Sequence, residues 1–279
     1  MNEKSLPSYP PATWRLIVEG EADGATNMAV DEAILTAVVE ETSSPTLRFY
    51  GWSPPCLSLG RTQPVADVDL DACRADGVDV VRRPTGGRAI LHTDELTYSV
   101  ALLQSDRRAT GDVVESYRRL SEGLLAGLRR LNVQVVQAAL QQRPVAEPSA
   151  VCFERPSDYE ITVRGRKLLG SAQWRARNAV LQHGALPLHG DLTRILSYLA
   201  FSEKERDRQK HGLPDRALTI EEAAGRRLTF AQVAQALTDG FAQALNLNLV
   251  PGGLTARERA LAADLRRDRY AEPGWTARA

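Results

Sequence analysis

The chain has 279 residues, a formal net charge of zero, 43 % hydrophobic residues and 25 % charged ones, the ordinary range for a folded globular protein. Zero net charge gives no bulk attraction to nucleic acid or to an anionic membrane, and no run of about 18 apolar residues is present to span a bilayer. Three cysteines cannot all pair, and neither they nor the four histidines (His92, His183, His189, His211) show metal-ligand spacing. No metal is therefore expected, and a reducing, cytoplasmic setting is the simplest reading.

Residues 1–13 are polar and Pro-rich and read as a flexible tail, with residues 14–279 as one domain. WRLIVEG (14–20) reads as a strand. In ATNMAVDEAILTAVVEE, Ala29, Ala33, Ala37 and Val30, Ile34, Val38 recur at i, i+4. That spacing predicts a buried helix face, with Thr26 or Asn27 as cap. TLRFYGW and CLSLGR, split by Ser-Pro-Pro, read as two short strands. DLDACRADG reads as a short helix closed by Gly77, and VDVVRRP as the start of another strand. RAILH and ELTYSVALL are expected to pair around a turn at Thr93–Asp94. VVESYRRLSEGLLAGLRRL (113–131) is a strong helix pattern, and VQVVQA a strand after it.

Residues 138–157 form a polar, Pro-interrupted loop that contains Cys152. It is long for a compact domain, and loops of that length are usually functional or disordered. YEITV and RKLLGSAQW flank Arg-Gly in the manner of a β-hairpin, and AVLQHGALPL adds a third strand. Beyond residue 190 the pattern is mostly helical, over 191–200, 203–210, 229–245 and 255–269. The order of elements predicts a mixed α/β (α+β) fold, β-sheets covered by helices.

Three stretches bear on chemistry. In RRPTGGRAILH (82–92) two glycines follow a strand. They let a backbone approach closely and free amide N–H groups to face an acceptor, although a glycine pair also makes a plain turn. The spacing fits neither a Walker loop nor a dinucleotide loop. His92 stands open as a structural histidine or a base. Cys56 lies in an apolar run and Cys73 in a helix pattern, whereas Cys152 lies in the loop ahead of Pro156. A thiolate nucleophile there needs a nearby cation to lower its pKa. Lys167 is one of four lysines among thirty-five basic residues. It sits across the tight turn, where a hairpin can return it to the loop that feeds its first strand. An ammonium does what guanidinium cannot, because it is compact and can yield a proton.

Taken together, NMAVDEA (27–33), SLGRTQ (58–63), RRPTGGRAILHTDELTYSV (82–100), CFERPSDYEITVRGRKLLGSAQ (152–173) and RYAEPGWT (269–276) resemble the lipoate-protein ligase, octanoyltransferase and biotin-ligase superfamily. The cysteine in CFERPSDYE resembles the branch of cysteine-dependent octanoyl-[acyl-carrier protein]:protein N-octanoyltransferases. That resemblance implies a lipoate/biotin-protein ligase-like catalytic domain and a two-step acyl transfer that uses no cofactor. Cys152 accepts octanoyl from octanoyl-acyl carrier protein, and a lysine of a lipoyl domain then receives it. The lipoyl domains are those of 2-oxo acid dehydrogenase complexes and glycine cleavage H protein. Cys152 and Lys167 are the implied catalytic pair, with Arg82, Thr85, Gly86, Gly87, Arg88, His92, Gly170, Ser171 and Gln173 around the substrate. A basic rim drawn from arginines 82, 83, 107, 108, 118 and 119 would help acidic protein partners to dock. An ATP-dependent lipoate ligase, an octanoyl amidotransferase between lipoyl domains and a pocket without turnover are the rival readings. Arg269 stands where related sequences often have lysine.

Overall fold

A computed structural model describes residues 9–137 and 160–278. Cys152, the rest of the 138–157 loop and residues 1–8 of the expected tail lie outside them. Along the chain run β1 (Ala12–Ala22), α1 (Gly24–Val39), β2 (Thr46–Trp52), β3 (Cys56–Leu59), α2 (Leu70–Ala75), β4 (Asp79–Arg82), β5 (Ile90–His92) and β6 (Glu95–Leu103). Then follow α3 (Val113–Arg130), β7 (Val136–Gln137), β8 (Ile161–Val163), β9 (Arg166–Ala176), β10 (Ala179–Pro187) and a 3-10 segment, Leu192–Tyr198. The chain continues with α4 (Glu203–Gly212), α5 (Ile220–Ala224), α6 (Phe230–Ala244), β11 (Leu247–Pro251), α7 (Ala256–Leu265), a π turn (Arg266–Tyr270) and α8 (Pro273–Thr276).

A large sheet has the order β11-β1-β2-β6-β10-β9-β8-β7, and a small one β4-β3-β5. In the large sheet β1 runs parallel to β11 and β2, and the other pairs are antiparallel. Helices α3 and α6 cover one face and bury Trp14, Phe49, Tyr98, Leu124 and Phe241. They pack backbone to backbone: a Cβ on Gly240 would stand 2.2 Å from the Gly127 nitrogen. Helix α1 lies on the opposite face with Met28, Ile34, Tyr50 and Leu181. Beside it the small sheet packs Leu57 and Ile90 against Ala185 and Leu196. Each fully buried side chain of this size contributes about 1.5–3 kcal/mol. No helix among the described residues is long and apolar enough to cross a membrane.

Two local expectations are corrected. The cap of α1 is Asp23, whose carboxylate accepts from the Thr26 amide at 2.7 Å. Asn27 instead donates to the Ala22 and Gly51 carbonyls and ties the helix to β1 and β2. RAILH and ELTYSV do not pair with each other. β5 joins β3 in the small sheet, and β6 lies between β2 and β10 in the large one. The corner between them has Asp94 at φ 46°, and its carbonyl accepts the Leu188 amide. By contrast, the Arg-Gly hairpin forms as expected, with Arg164 at φ 51° and Gly165 at φ 80°, the two left-handed residues that a tight two-residue turn needs.

Candidate active site

The candidate site lies where the two sheets meet, and the residue expected at its centre is Lys167. Strict alternation along β9 would aim Lys167 to the same face as Ser171. The register shifts between Ile161 and Thr162, however, so that Leu168 is an extra residue opposite β8. A bulge of this kind re-aims the neighbouring side chain. Lys167 turns onto the face of Gly170, and its Nζ lies 2.8 Å from where a Cβ on Gly170 would stand. The side chain is fully buried, and Nζ donates to Glu160 Oε1 at 2.5 Å. Its backbone is held as well, since the Lys167 amide donates to Arg216 and its carbonyl accepts from Leu218.

Gly170 faces the same side as Ala172, Trp174 and, across the strand pair, Ala185 and His183. His183 connects this face to the glycine loop. Its Nε2 meets Thr85 Oγ1 at 2.7 Å, and its Nδ1 meets Asp31 Oδ2 at 3.4 Å. A carboxylate at Nδ1 calls for the proton there, which leaves Nε2 to accept from the threonine hydroxyl. Burial pushes the His183 imidazole below its ordinary value against the pull of Asp31, so the ring is neutral. Burial opposes the charge of Asp31 too. The bond from His183, the Arg48 guanidinium and the Ser99 hydroxyl outweigh it and hold the carboxyl below its usual range. Arg48 donates to Asp31 at 2.8 Å, and Tyr50 does so at 2.9 Å.

The loop Thr85–Arg88 is pinned from inside. Arg83 donates to the carbonyls of Ser58, Gly86 and Arg88, and the Arg61 amide donates to the Thr85 carbonyl. Gly60 makes the close approach: a Cβ there would stand 1.9 Å from the Gly87 carbonyl oxygen. With the carbonyls turned inward, the exposed Gly86 and Gly87 have amide groups with no hydrogen bond to a described residue. Gly87 has φ 98°, a conformation that favours glycine. Oriented amides of this kind suit an anion or an oxyanion.

Of the residues expected around a substrate, the structure brings Thr85, Gly86, Gly87 and Gly170 to the Lys167 side of the sheet, with half-buried Arg88 at the end of the loop. His92 is in the wall behind it. Its Nε2 bonds Ser58 at 2.7 Å, its Nδ1 bonds Glu95 at 2.8 Å, and its ring stacks on Trp52 at 4.0 Å. Arg82 braces the backbone, donating to the Gly60, Gln63 and Thr276 carbonyls, while Trp275 Nε1 donates to the Arg82 carbonyl. Ser171 and Gln173 point the other way, toward α3: Ser171 accepts from Tyr98, and Gln173 bonds Ser116 and Gln182. The expected basic rim is corrected for three of its six arginines, Arg107 and Arg118 being exposed and Arg119 half-buried. Arg82, Arg83 and Arg108 are buried, and Arg108 is bonded to the Leu245 and Pro10 carbonyls.

Sequence reasoning missed Glu160, His183 and Asp31. Glu160 reads as a strand end, and the other two join only when α1, β10 and the loop after β4 come together. Cys56 and Cys73 are buried thiols. Burial raises the first well above its ordinary value and the second to about 11, so neither is a ready nucleophile.

Comparison with known proteins gives the family. The chain is 46 % identical over 259 residues to the octanoyltransferase LipM of Kyrpidia tusciae, covering 91 % of this chain and 94 % of that one. It is 40 % identical over 265 residues to the octanoyltransferase LipM of Carboxydothermus hydrogenoformans, covering 94 % and 98 %. In fold it matches the bi-partite lipoate protein ligase of Thermoplasma acidophilum with a TM-score of 0.80 at 24 % identity, over 96 % of this chain and 97 % of that one. The family model for the lipoyl protein ligase A/B catalytic domain matches residues 23–242. The chain therefore belongs to the lipoyl protein ligase A/B catalytic-domain family and is an acyltransferase.

Proposed function

We propose that the protein transfers an octanoyl group from octanoyl-acyl carrier protein to the lysine of a lipoyl domain, in the cytoplasm, through a thioester on Cys152. The observation that carries the reading is the seating of Lys167. A fully buried lysine lies against Gly170, on the sheet face that His183 ties to Thr85 of the glycine loop, and on the hairpin that directly follows the segment holding Cys152. The 40–46 % identity to octanoyltransferases supports the choice of acyl group.

In the first step the Cys152 thiolate attacks the donor thioester carbonyl. A new C–S bond forms, the old one breaks, and the carrier leaves as a thiolate that takes up a proton. Thioester exchange is nearly balanced in free energy, so no ATP is needed. In the second step the neutral lysine amine attacks the acyl-enzyme carbonyl. An amide forms, the C–S bond to Cys152 breaks, and the amine proton passes to solvent as the Cys152 thiolate is regenerated. Two protein substrates use one site in turn, which gives ping-pong kinetics.

Glu160 bears on the role of Lys167. A carboxylate at 2.5 Å favours the ammonium form. Lys167 then acts as a fixed positive charge that stabilises the thiolate and the oxyanion, rather than as the proton acceptor. Amides of Gly86 and Gly87 are further oxyanion donors.

Mixing the protein with octanoyl-acyl carrier protein and a lipoyl domain, without ATP, tests the reading. Mass spectrometry of the domain should show an octanoyl amide on its lysine. A domain modified only with ATP and free lipoate would make the protein a ligase. Transfer only from an octanoylated H protein would make it an amidotransferase.

A further inference from the structure

A second feature lies farther along the face of β9 that carries Gly170. A cleft of about 290 Å³ opens between α1, the β9–β10 turn and the C-terminal segment. Its walls are apolar, with Pro84, Trp174 and Trp275 among them, and its rim is basic. Arg269 on that rim is neutralised by Glu32 at 2.5 Å. Arg61, Arg177 and Arg278 are exposed and make no ion pair with a described residue. Arg278 lies over the Trp275 ring at 4.9 Å, which holds its charge at the mouth. Arg177 has φ 49°, where asparagine or glycine sits with less strain, so the turn keeps arginine there at a backbone cost.

We infer that this cleft binds the phosphopantetheine arm of the acyl carrier, with the phosphate at Arg61, Arg177 and Arg278 and the pantetheine chain along the tryptophan walls. The inference rests on the acyl-carrier reading above. An occupant with one anionic group and a slender, mostly uncharged chain matches a narrow apolar cleft with three free guanidinium groups at its rim. A flat acidic protein surface would use the rim and leave the walls empty. The route also fits. Trp174 and Gly170 share one face of β9, and Pro84 directly precedes Thr85 of the glycine loop. From Arg177 back to Gly170 is seven residues of strand and turn, roughly 23 Å at ~3.3 Å per residue. The Arg177 side chain can hold a phosphate several ångströms inward of that backbone position, which brings a thioester beside Lys167 within reach of an extended arm.

The test compares three thioester donors on the full chain: octanoyl-acyl carrier protein, S-octanoyl-4′-phosphopantetheine and S-octanoyl-pantetheine. The variant is R61Q/R177N/R278Q, in which asparagine suits the left-handed turn position, and circular dichroism confirms its fold. The unaltered protein should use the phosphorylated small donor at least tenfold better in kcat/KM than the unphosphorylated one. The variant should lose that preference and show a raised KM for the carrier. A preference that is absent in the unaltered protein, or that persists in the variant, overturns the inference while acylation by the carrier leaves the proposed function standing. Slower transfer from pre-acylated enzyme to a lipoyl domain, with an unchanged donor preference, assigns the cleft to the acceptor and likewise overturns it. If no donor acylates the unaltered protein, the proposed function and this inference fall together.

Discussion

At the residue scale the account turns on Gly170 and Lys167. A methyl group at Gly170 would meet Lys167 Cε at 2.6 Å and Nζ at 2.8 Å. The lysine is buried and bonded to Glu160, so it cannot swing into solvent to make room. Gly170→Ala should displace the ammonium by an ångström or so and slow acyl transfer about 100-fold. The KM for the carrier should change little, which steady-state kinetics will check. Lys167→Ala should slow the acylation step by about 10²–10³-fold, the usual cost of one oxyanion donor, measurable in a rapid-quench single turnover. Near-normal rates in both variants would remove Lys167 from the chemistry. The lysine was legible in the sequence because it is rare in an arginine-rich chain and follows a tight-turn signal. Its partner Glu160 was not, since a glutamate at a strand end has no pattern of its own. That Ser171 and Gln173 look toward α3 was not legible, because the shared motif says nothing about pleat and neighbours in a strand look in opposite directions.

At the element scale the glycine loop depends on the segment after β3. Gly60 lies against the Gly87 carbonyl, so Gly60→Ala must push two backbones apart. That overpacking should cost about 2 kcal/mol, a Tm drop of roughly 5 °C at this size. It should also lower activity beyond the stability loss by moving the Gly86 and Gly87 amides. Calorimetry and initial rates at 25 °C separate the two effects. Most elements were legible: the hairpin from its Arg-Gly turn, α1 from its i, i+4 apolar face, and α3 and α6 from periodicity. The corner between β5 and β6 was not. Two strand patterns two residues apart imitate a hairpin, and only the competing partners β3, β2 and β10 separate them. β11 was missed for the same reason, since its partner β1 lies more than two hundred residues away. The Asp31–His183–Thr85 chain is also assembled by topology alone.

At the scale of the whole molecule that chain makes stability depend on pH. His183 is held neutral, with its pKa below the ordinary 6.5. Unfolding therefore takes up a proton as pH falls through that value, and stability declines. Asp31 has the same sign. Its depressed pKa gives stability present above the ordinary 3.8 and lost as pH falls below it. Thermal melts should show Tm falling from pH 7 to pH 5, with a flatter slope in His183→Gln. An equal slope in the variant would remove His183 as the cause. The proposed function reduces to one event, the acylation of Cys152. Intact-mass spectrometry after mixing with octanoyl-acyl carrier protein, without ATP and without acceptor, observes that event directly. One octanoyl group per chain is expected, mapping to Cys152 and absent in Cys152→Ala. An unchanged mass, or an adduct that survives Cys152→Ala, would contradict it.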